Sequence, residues 1–228
     1  MTFHEFADTR QQAAALAEAM AASLKTHLAS HAKAVIAVSG GKSPVPVFEA
    51  LRKVDLDWSR VVITLVDERW VPADHMASNE ALVRTHLLHE NAAAATFVPM
   101  YNHAATANAA EASLNAVFAD LPLPFALVVL GMGDDGHTAS LFPASPALDA
   151  GLAANAPVCL AQVGAVEPTE RMSLTLPAIL NAGNVFLQFA GEGKKAVFDL
   201  ASQQADKRWP VSFVLAQSST PVEVFYAK

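Results

Sequence analysis

The segment Leu127–Pro143, LVVLGMGDDGHTASLFP, places two aspartates and a histidine directly after an apolar run. Its glycines permit a tight turn, and Gly136 permits a backbone angle that other residues avoid. Histidine suits proton transfer near neutral pH because its unperturbed pKa is about 6.5. Asp135 is placed to fix the tautomer of His137 and to stabilise the charged imidazole. No serine or cysteine stands in a nucleophile elbow, so the segment predicts a base that activates water; capping of the next helix is the alternative role of His137.

A second candidate site is the SGGK segment, residues 39–42, which follows the apolar run AVIAV. Glycines let a backbone approach a ligand closely, and the amide groups of such a turn bind anions together with the N-terminus of a following helix. We expect Ser43 to cap that helix, Pro44 to be its first residue, and Lys42 to add a positive charge. The GxxxxGK[ST] spacing of a P-loop is missing, so an ordinary turn is the alternative to an anion site.

Three consecutive charged residues, Asp67, Glu68 and Arg69, follow the apolar run VVITLV. Their position predicts that they lie at the end of a buried strand, where ligands collect in an open α/β sheet. Arg69 either pairs with a carboxylate or is available to hold an oxyanion. Ser78 and Asn79 come shortly afterwards; we expect them to cap the next helix, with contact to a substrate as the alternative.

The sequence offers no convincing metal site and no disulfide. His86 and His89 are three residues apart in a helical segment without a third ligand nearby, so we expect solvated side chains and no metal. Cys159 is the single cysteine and lies in the apolar run PVCLAQV. We expect it to be a buried, unreactive thiol.

The elements that must position these residues alternate along the chain. A long helix is predicted from Thr9 to about His31, because its apolar residues have helical spacing and proline and glycine are absent. Five apolar runs predict strands: AVIAV, VVITLV, ALVVLG, NVFLQFAG and VEVFYA. Further helices are predicted at Val45 to Leu51, Asn79 to Leu88, Ala104 to Phe118 and Lys194 to Ser202. This order is typical of a Rossmann-like α/β fold, with a mostly parallel sheet covered by helices on both faces.

Composition limits the function further. The 228 residues carry a formal net charge of −7 and are 53% apolar, so they can bury one large core and lack the positive charge of a nucleic-acid or anionic-membrane binder. No secretion signal or membrane span is visible, and a cytoplasmic location is expected. We predict a single domain over residues 1–228, a surface loop near Pro143 to Pro157, and no obligate protein partner.

Taken in order, the motifs SGG with Ser-Pro, DERxVP…SN, GMGxDGHTASLFP, RMSLT and GEGK closely resemble those of the 6-phosphogluconolactonases of the pentose phosphate pathway. The resemblance extends over nearly the whole chain. That family belongs with the glucosamine-6-phosphate deaminases to a wider group with a modified Rossmann fold. One departure is visible, since Lys42-Ser43 stands where Ser-Thr is common.

The resemblance implies roles for nine residues. It implies that His137 is the general base and Asp135 its partner, and that Asp67 and Arg69 line the pocket. The residues implied to hold the substrate phosphate are Ser39, Gly40, Gly41, Arg171 and Lys194; Lys42, at the departure from the family pattern, is a further candidate because of its charge. A phosphate with nearly two negative charges needs such cationic partners in an otherwise acidic protein.

The implied reaction is hydrolysis of 6-phospho-D-glucono-1,5-lactone by water that His137 activates, without a cofactor. Two other functions stay open: an isomerase or deaminase on the same fold, and a non-catalytic sugar-phosphate sensor. In the deaminases the DGH segment continues to an Asn-Glu-Pro ending, whereas Phe142 stands at the position of that glutamate here. A sensor would not need the Asp135 and His137 pair, and a DNA-binding regulator would carry an added basic segment, which is absent.

Overall fold

Ten strands form two sheets in the computed structural model, which describes residues 1–228. The strands are β1 Thr2–Phe6, β2 Ala34–Val38, β3 Val61–Leu65, β4 Asp67–Arg69, β5 Thr96–Phe97, β6 Leu127–Gly131, β7 Cys159–Val163, β8 Glu170–Leu174, β9 Val185–Ala190 and β10 Val222–Ala227. The main sheet has seven strands in the order β1-β10-β9-β6-β2-β3-β5. All its neighbouring pairs are parallel, which confirms the predicted α/β architecture.

Eight α-helices and two short 3₁₀ helices connect and flank these strands. The α-helices are α1 Thr9–Leu28, α2 Val45–Leu51, α3 Asn79–His86, α4 Ala107–Ala119, α5 Leu148–Leu152, α6 Leu176–Leu180, α7 Glu192–Ala201 and α8 Val211–Leu215; the 3₁₀ helices are Trp58–Arg60 and Glu90–Ala94. The Asp8 side chain caps α1 by accepting from the Gln11 N–H, and the apolar stripe of α1 is buried against the sheet and α2. None of the helices combines the length and apolar character of a membrane span.

The central strands have near-continuous apolar sequences because they are buried on both faces of the sheet. Every residue of β2 and β3 is buried, as expected for parallel strands that are covered on both faces. In total, 58 buried apolar residues form one contiguous cluster. The five predicted strands are confirmed as β2, β3, β6, β9 and β10. The edge strands β1 and β5 were missed, because β1 mixes polar and apolar residues and β5 has only two residues.

A second sheet, which the sequence did not predict, is antiparallel and has the order β4-β8-β7. Its strand β4 consists of Asp67, Glu68 and Arg69, so the charged triplet is itself part of a sheet rather than a loop. In the register of β4 and β8, Asp67 lies opposite Ser173 and Arg69 lies opposite Arg171. This sheet therefore brings residues that are a hundred positions apart to the end of β3.

The helix bounds agree with the predicted segments to within three residues, with one local correction. Ser43 does not cap α2: the N-cap is Pro44, without a capping side chain, and the helix begins at Val45. Proline fits here because the first turn of a helix has no acceptor for its N–H groups. Residues 143–157, predicted as a loop, contain the short helix α5.

Candidate active site

One cleft opens where the carboxyl ends of β2, β3, β6 and β9 meet, and it encloses about 390 Å³. That volume is in the range of small-molecule sites. Eight of the ten residues that the sequence singled out line it: Ser39, Gly40, Gly41, Lys42, Asp67, Arg69, His137 and Lys194. Asp135 and Arg171 are outside its wall.

His137 and Asp135 form a hydrogen-bonded pair at one side of this cleft. The Nδ1 atom of His137 is 2.5 Å from Asp135 Oδ1, and the same oxygen accepts the backbone N–H of His137. The hydrogen bond to His137 holds the pKa of Asp135 below its ordinary value. Since an ionised carboxylate can only accept, Nδ1 carries the proton of the neutral ring. The lone pair is then on Nε2, which is free to take a proton.

The turn around His137 fixes the orientation of its ring. A Cβ on Gly133 would lie 2.1 Å from ring atoms of His137, so only glycine leaves room for the imidazole. Gly136 adopts a φ of +75°, and its carbonyl accepts the backbone N–H of Val211. The Phe142 ring packs on the imidazole with 4.2 Å between ring centroids. The side chain at position 142 therefore supports His137 and does not line the cleft.

The loop after β2 presents unpaired backbone donors to the cleft. None of the backbone N–H groups of residues 40–43 donates to an acceptor in the protein. Ser39 connects the start of the loop to β6, since its Oγ donates to the Val129 carbonyl and accepts the N–H of Gly131. Gly41 has a φ of +89°, which only glycine adopts readily. Four consecutive donors without acceptors in the protein are available to an anion.

Three cations line the same cleft, and no carboxylate lies within ion-pair distance of them. Lys194 Nζ donates to the Met132 carbonyl at 2.7 Å, and Arg69 Nη1 donates to the Ala77 carbonyl at 2.6 Å. Lys42 has no partner for its ammonium group. Of the two alternatives for Arg69, the structure therefore excludes a structural ion pair. The positive charges of Lys42, Arg69 and Lys194 are therefore available to a ligand.

Arg171 lies next to this cluster and is 2% exposed. Its guanidinium donates to the Val166 carbonyl and packs against Gly164, while its Nε is buried without a partner. Burial and the neighbouring Arg69 lower the pKa of Arg171. A buried donor without an acceptor is costly, and an anion that reached it would remove that cost.

Asn79 is a cleft residue as well as the first residue of α3. Ser78 caps the helix as predicted, by accepting the N–H of Ala81. Asn79 Nδ2 donates to the Asp67 carbonyl, and the amide packs against Gly40 so closely that a Cβ there would be 1.8 Å from Asn79 Oδ1. The capping interpretation is thus right for Ser78, and Asn79 connects the glycine loop to β4.

Glu68 is a fully buried carboxylate behind this wall. Its two oxygens accept from the backbone N–H groups of Arg69, Asn79 and Glu80 and from the Ser78 hydroxyl. Burial raises the pKa of Glu68 to about 7, although these backbone donors oppose the shift. Through these hydrogen bonds Glu68 connects the start of α3 to β4.

One functional candidate, Gln188, was missed at the level of sequence, whereas contact of Asn79 with a substrate was the alternative to capping. The signal for Gln188 was present, since a glutamine interrupts the otherwise apolar run NVFLQFAG. The Cys159 prediction is confirmed: the thiol is buried, and burial raises its pKa to about 12. His86 bonds to Glu49, and His89 is exposed without a side-chain partner.

The cleft therefore combines two chemically different sets of groups. Unpaired amides and three cations suit a compact anion, while the His137 and Asp135 pair suits the transfer of a proton to or from a second group of the same ligand. The volume of about 390 Å³ suits a ligand of monosaccharide size that carries both groups.

Comparisons with known proteins agree on one family. The family model described as glucosamine-6-phosphate isomerases/6-phosphogluconolactonase matches residues 7–223. The chain is similar to the 6-phosphogluconolactonase of Neisseria meningitidis serogroup B, with 43% identity and 99% coverage of both chains. Among solved structures it is similar to a 6-phosphogluconolactonase from Shewanella baltica, with 40% identity, a TM-score of 0.97 and coverage of 100% and 98%. A monomeric glucosamine-6-phosphate deaminase shares the fold at 15% identity, with a TM-score of 0.79 and coverage of 100% and 98%.

Proposed function

The chain belongs to the family of glucosamine-6-phosphate isomerases and 6-phosphogluconolactonases, and we propose that it is a 6-phosphogluconolactonase that hydrolyses 6-phospho-D-glucono-1,5-lactone to 6-phospho-D-gluconate. This is the lactone-opening step of the oxidative pentose phosphate pathway. The observation that carries the proposal is the hydrogen bond between Asp135 and His137, because His137 lines the same cleft as residues 40–43 with their unpaired amides.

The first step is anchoring of the substrate by its phosphate. The free N–H groups of the glycine loop, Lys42 and Lys194 supply donors and positive charge where no protein carboxylate competes. Arg171 stays in the proposal as a further phosphate ligand, because its buried Nε lacks an acceptor. Anchoring converts attack on the lactone from a solution encounter into a positioned one.

The second step is attack of water on the lactone carbonyl. Nε2 of His137 takes a proton from the water as the new C–O bond forms, and Asp135 stabilises the resulting imidazolium through Nδ1. Arg69 lines the same cleft without an ion-pair partner, so we assign it to the developing oxyanion. The ester C–O bond then breaks, and protonated His137 returns the proton to the ring oxygen. No electrons are transferred, so the reaction needs no cofactor.

Phe142 separates this reaction from deamination. Opening an aminosugar ring and moving protons between neighbouring carbons requires several acid and base groups. Here the side chain that packs on His137 is aromatic and apolar. It supports the imidazole but can neither accept nor donate a proton.

The proposal also covers the number of domains and the location of the protein in the cell. The single buried apolar cluster supports one domain over residues 1–228. We propose a cytoplasmic enzyme whose partner is a sugar-phosphate lactone, without a metal or an obligate protein partner. The formal net charge of −7 fits a chain that binds neither nucleic acid nor an anionic membrane.

The experiment that tests the function measures two reactions of the purified protein. Opening of freshly prepared phospholactone is followed by pH-stat titration and corrected for spontaneous hydrolysis. Ammonia release from glucosamine-6-phosphate is followed in parallel. We expect acceleration of the first reaction and no detectable second one. Ammonia release without lactone opening would overturn the proposal in favour of a deaminase, and binding of the phospholactone without either reaction would favour a sensor.

A further inference from the structure

Gln188 is a polar side chain in the middle of the sheet that the mechanism above does not use. It lies on β9, opposite Gly131 of β6, and is 6% exposed. Its neighbours on the strand, Leu187 and Phe189, are buried in the apolar core. A buried amide is costly unless it is hydrogen-bonded, so each of its polar atoms needs a partner.

Gln12 of α1 fixes the orientation of the Gln188 amide. The Nε2 atom of Gln12 donates to the backbone carbonyls of Phe189 and Phe225, both at 2.7 Å. Because both partners are acceptors, the NH₂ group of Gln12 cannot exchange places with its oxygen. The oxygen of Gln12 therefore points to Gln188.

Gln188 in turn must place its own NH₂ group against two acceptors. Its Nε2 donates to Gln12 Oε1 at 3.1 Å and to the Ser43 carbonyl at 3.3 Å. The reversed amide would set Oε1 against two oxygens. The Oε1 atom of Gln188 consequently has no hydrogen-bond partner in the protein. The side-chain polar atoms that lack both a partner and solvent contact are Nε of Arg52 and Nε of Arg171. Oε1 of Gln188 is therefore accessible, and it faces the cleft that Gln188 lines.

The cleft thus contains one fixed hydrogen-bond acceptor beside a loop of donors. In the phospholactone, the phosphate oxygens, the carbonyl and the ring oxygen only accept hydrogen bonds, whereas the ring hydroxyls donate. An acceptor that is held by two buried hydrogen bonds and cannot turn repels the first set and selects the second. Its link to Ser43 also sets its distance from the anion-binding amides of residues 40–43.

We propose that Gln188 is a specificity-determining residue whose Oε1 accepts a hydrogen bond from one ring hydroxyl of the sugar phosphate. The inference rests on the proposed function for the identity of the substrate. Gln12, which is 1% exposed and does not line the cleft, is a positioning residue that acts through Gln188. Together they distinguish a polyhydroxylated ring from other phosphorylated esters of similar size.

The test compares Gln188→Met with the parent protein on four substrates: the complete phospholactone and its 2-, 3- and 4-deoxy analogues. Methionine keeps the length of the side chain but supplies neither amide atom. On the complete substrate we expect kcat/KM to fall roughly 3- to 10-fold, the usual effect of one neutral hydrogen bond. On one analogue, which lacks the contacted hydroxyl, parent and variant should be equal. Gln203→Met, at an exposed glutamine without a side-chain partner, is the matched control and should change nothing.

Gln12→Met supplies a second variant that leaves the cleft wall intact. It frees the Gln188 amide to turn, so we expect a smaller loss on the complete substrate and none on the same analogue. An equal loss of kcat/KM on all four substrates would show that Gln188 only stabilises the loop, and it would overturn the inference. An unchanged kcat/KM on the complete substrate would also overturn it. Calorimetric binding of 6-phospho-D-gluconate and the matching deoxy acids gives the same comparison without turnover. Hence the proposed hydroxyl contact and the proposed lactonase function can be refuted independently of each other.

Discussion

Substitution of Gly40 by alanine tests how the glycine loop is attached to the rest of the cleft. A Cβ at this position would lie 1.8 Å from Oδ1 and 2.2 Å from Cγ of Asn79, so the Asn79 side chain must move. That side chain is 3% exposed and is held by its hydrogen bond to the Asp67 carbonyl at 2.8 Å. Gly40→Ala therefore breaks a buried contact rather than merely filling space.

The cost follows from those contacts. Loss of a neutral hydrogen bond costs about 0.5–1.5 kcal/mol, and an off-rotamer side chain costs a similar amount, so the free energy of unfolding should fall by roughly 1–3 kcal/mol. For a chain of this size the corresponding decrease in Tm is about 2–12 °C. Because the loop carries the free amides of residues 40–43, KM for the phospholactone should rise, while hydrolysis of unphosphorylated gluconolactone should change little.

Thermal unfolding and steady-state kinetics measure both effects. Gly193→Ala is the matched control: it lies in α7, where the added Cβ has no atom within 4 Å apart from its chain neighbours and the backbone of its own helix, and alanine is favoured by up to about 1 kcal/mol in a helix. In an Asn79→Ala background the steric conflict is absent, so Gly40→Ala should then be nearly neutral. An unchanged Tm for Gly40→Ala, or an equal cost in both backgrounds, would refute the argument.

Three further predictions concern the charged residues. Lys194→Ala and Arg171→Ala should raise KM for the phospholactone by about tenfold with a smaller change in kcat, because a phosphate is held similarly in ground and transition states; variants that discriminate the phosphorylated from the unphosphorylated lactone as sharply as the parent would contradict this. Asp135→Asn should lower kcat by roughly 10²- to 10³-fold in single-turnover assays, since a neutral amide cannot stabilise the imidazolium of His137; an unchanged kcat would remove Asp135 from that role. Glu68 has a pKa of about 7 in the folded protein, above its unfolded value, so its ionisation disfavours folding as pH rises from about 4.5 to 7. Urea unfolding should show the stability of the parent relative to Glu68→Gln falling over that window by up to about 3 kcal/mol, and a pH-independent difference would argue against the buried, protonated state.

The parts of the fold that the sequence predicted are those with a local signal. The strands β2, β3 and β6 are continuous apolar runs because both of their faces are covered, and α1 has an uninterrupted helical pattern. The antiparallel sheet β4-β8-β7 has no such signal. Strand β4 is three charged residues, and its pairing with β8 depends on a partner more than a hundred positions away.

The candidate site divides in the same way. The His137 turn and the glycine loop were visible because both lie within short segments that follow predicted strands. The roles of Asn79 and Gln188 depend on contacts across the fold, with Gly40 and with Gln12, that no local pattern encodes. Whether Ser43 or Pro44 caps α2 depended on backbone angles at two neighbouring positions, which composition does not determine.

The most direct test of the mechanism is the turnover of His137→Asn with the phospholactone, measured together with calorimetric binding of 6-phospho-D-gluconate. Asparagine retains a polar side chain but cannot serve as a base, so kcat should fall by roughly 10²- to 10⁴-fold while the Kd of the product stays within a few-fold of the parent value. His89→Asn, at an exposed histidine outside the cleft, should retain full activity. A correctly folded His137→Asn variant with near-parental kcat would contradict the assignment of His137 as the base.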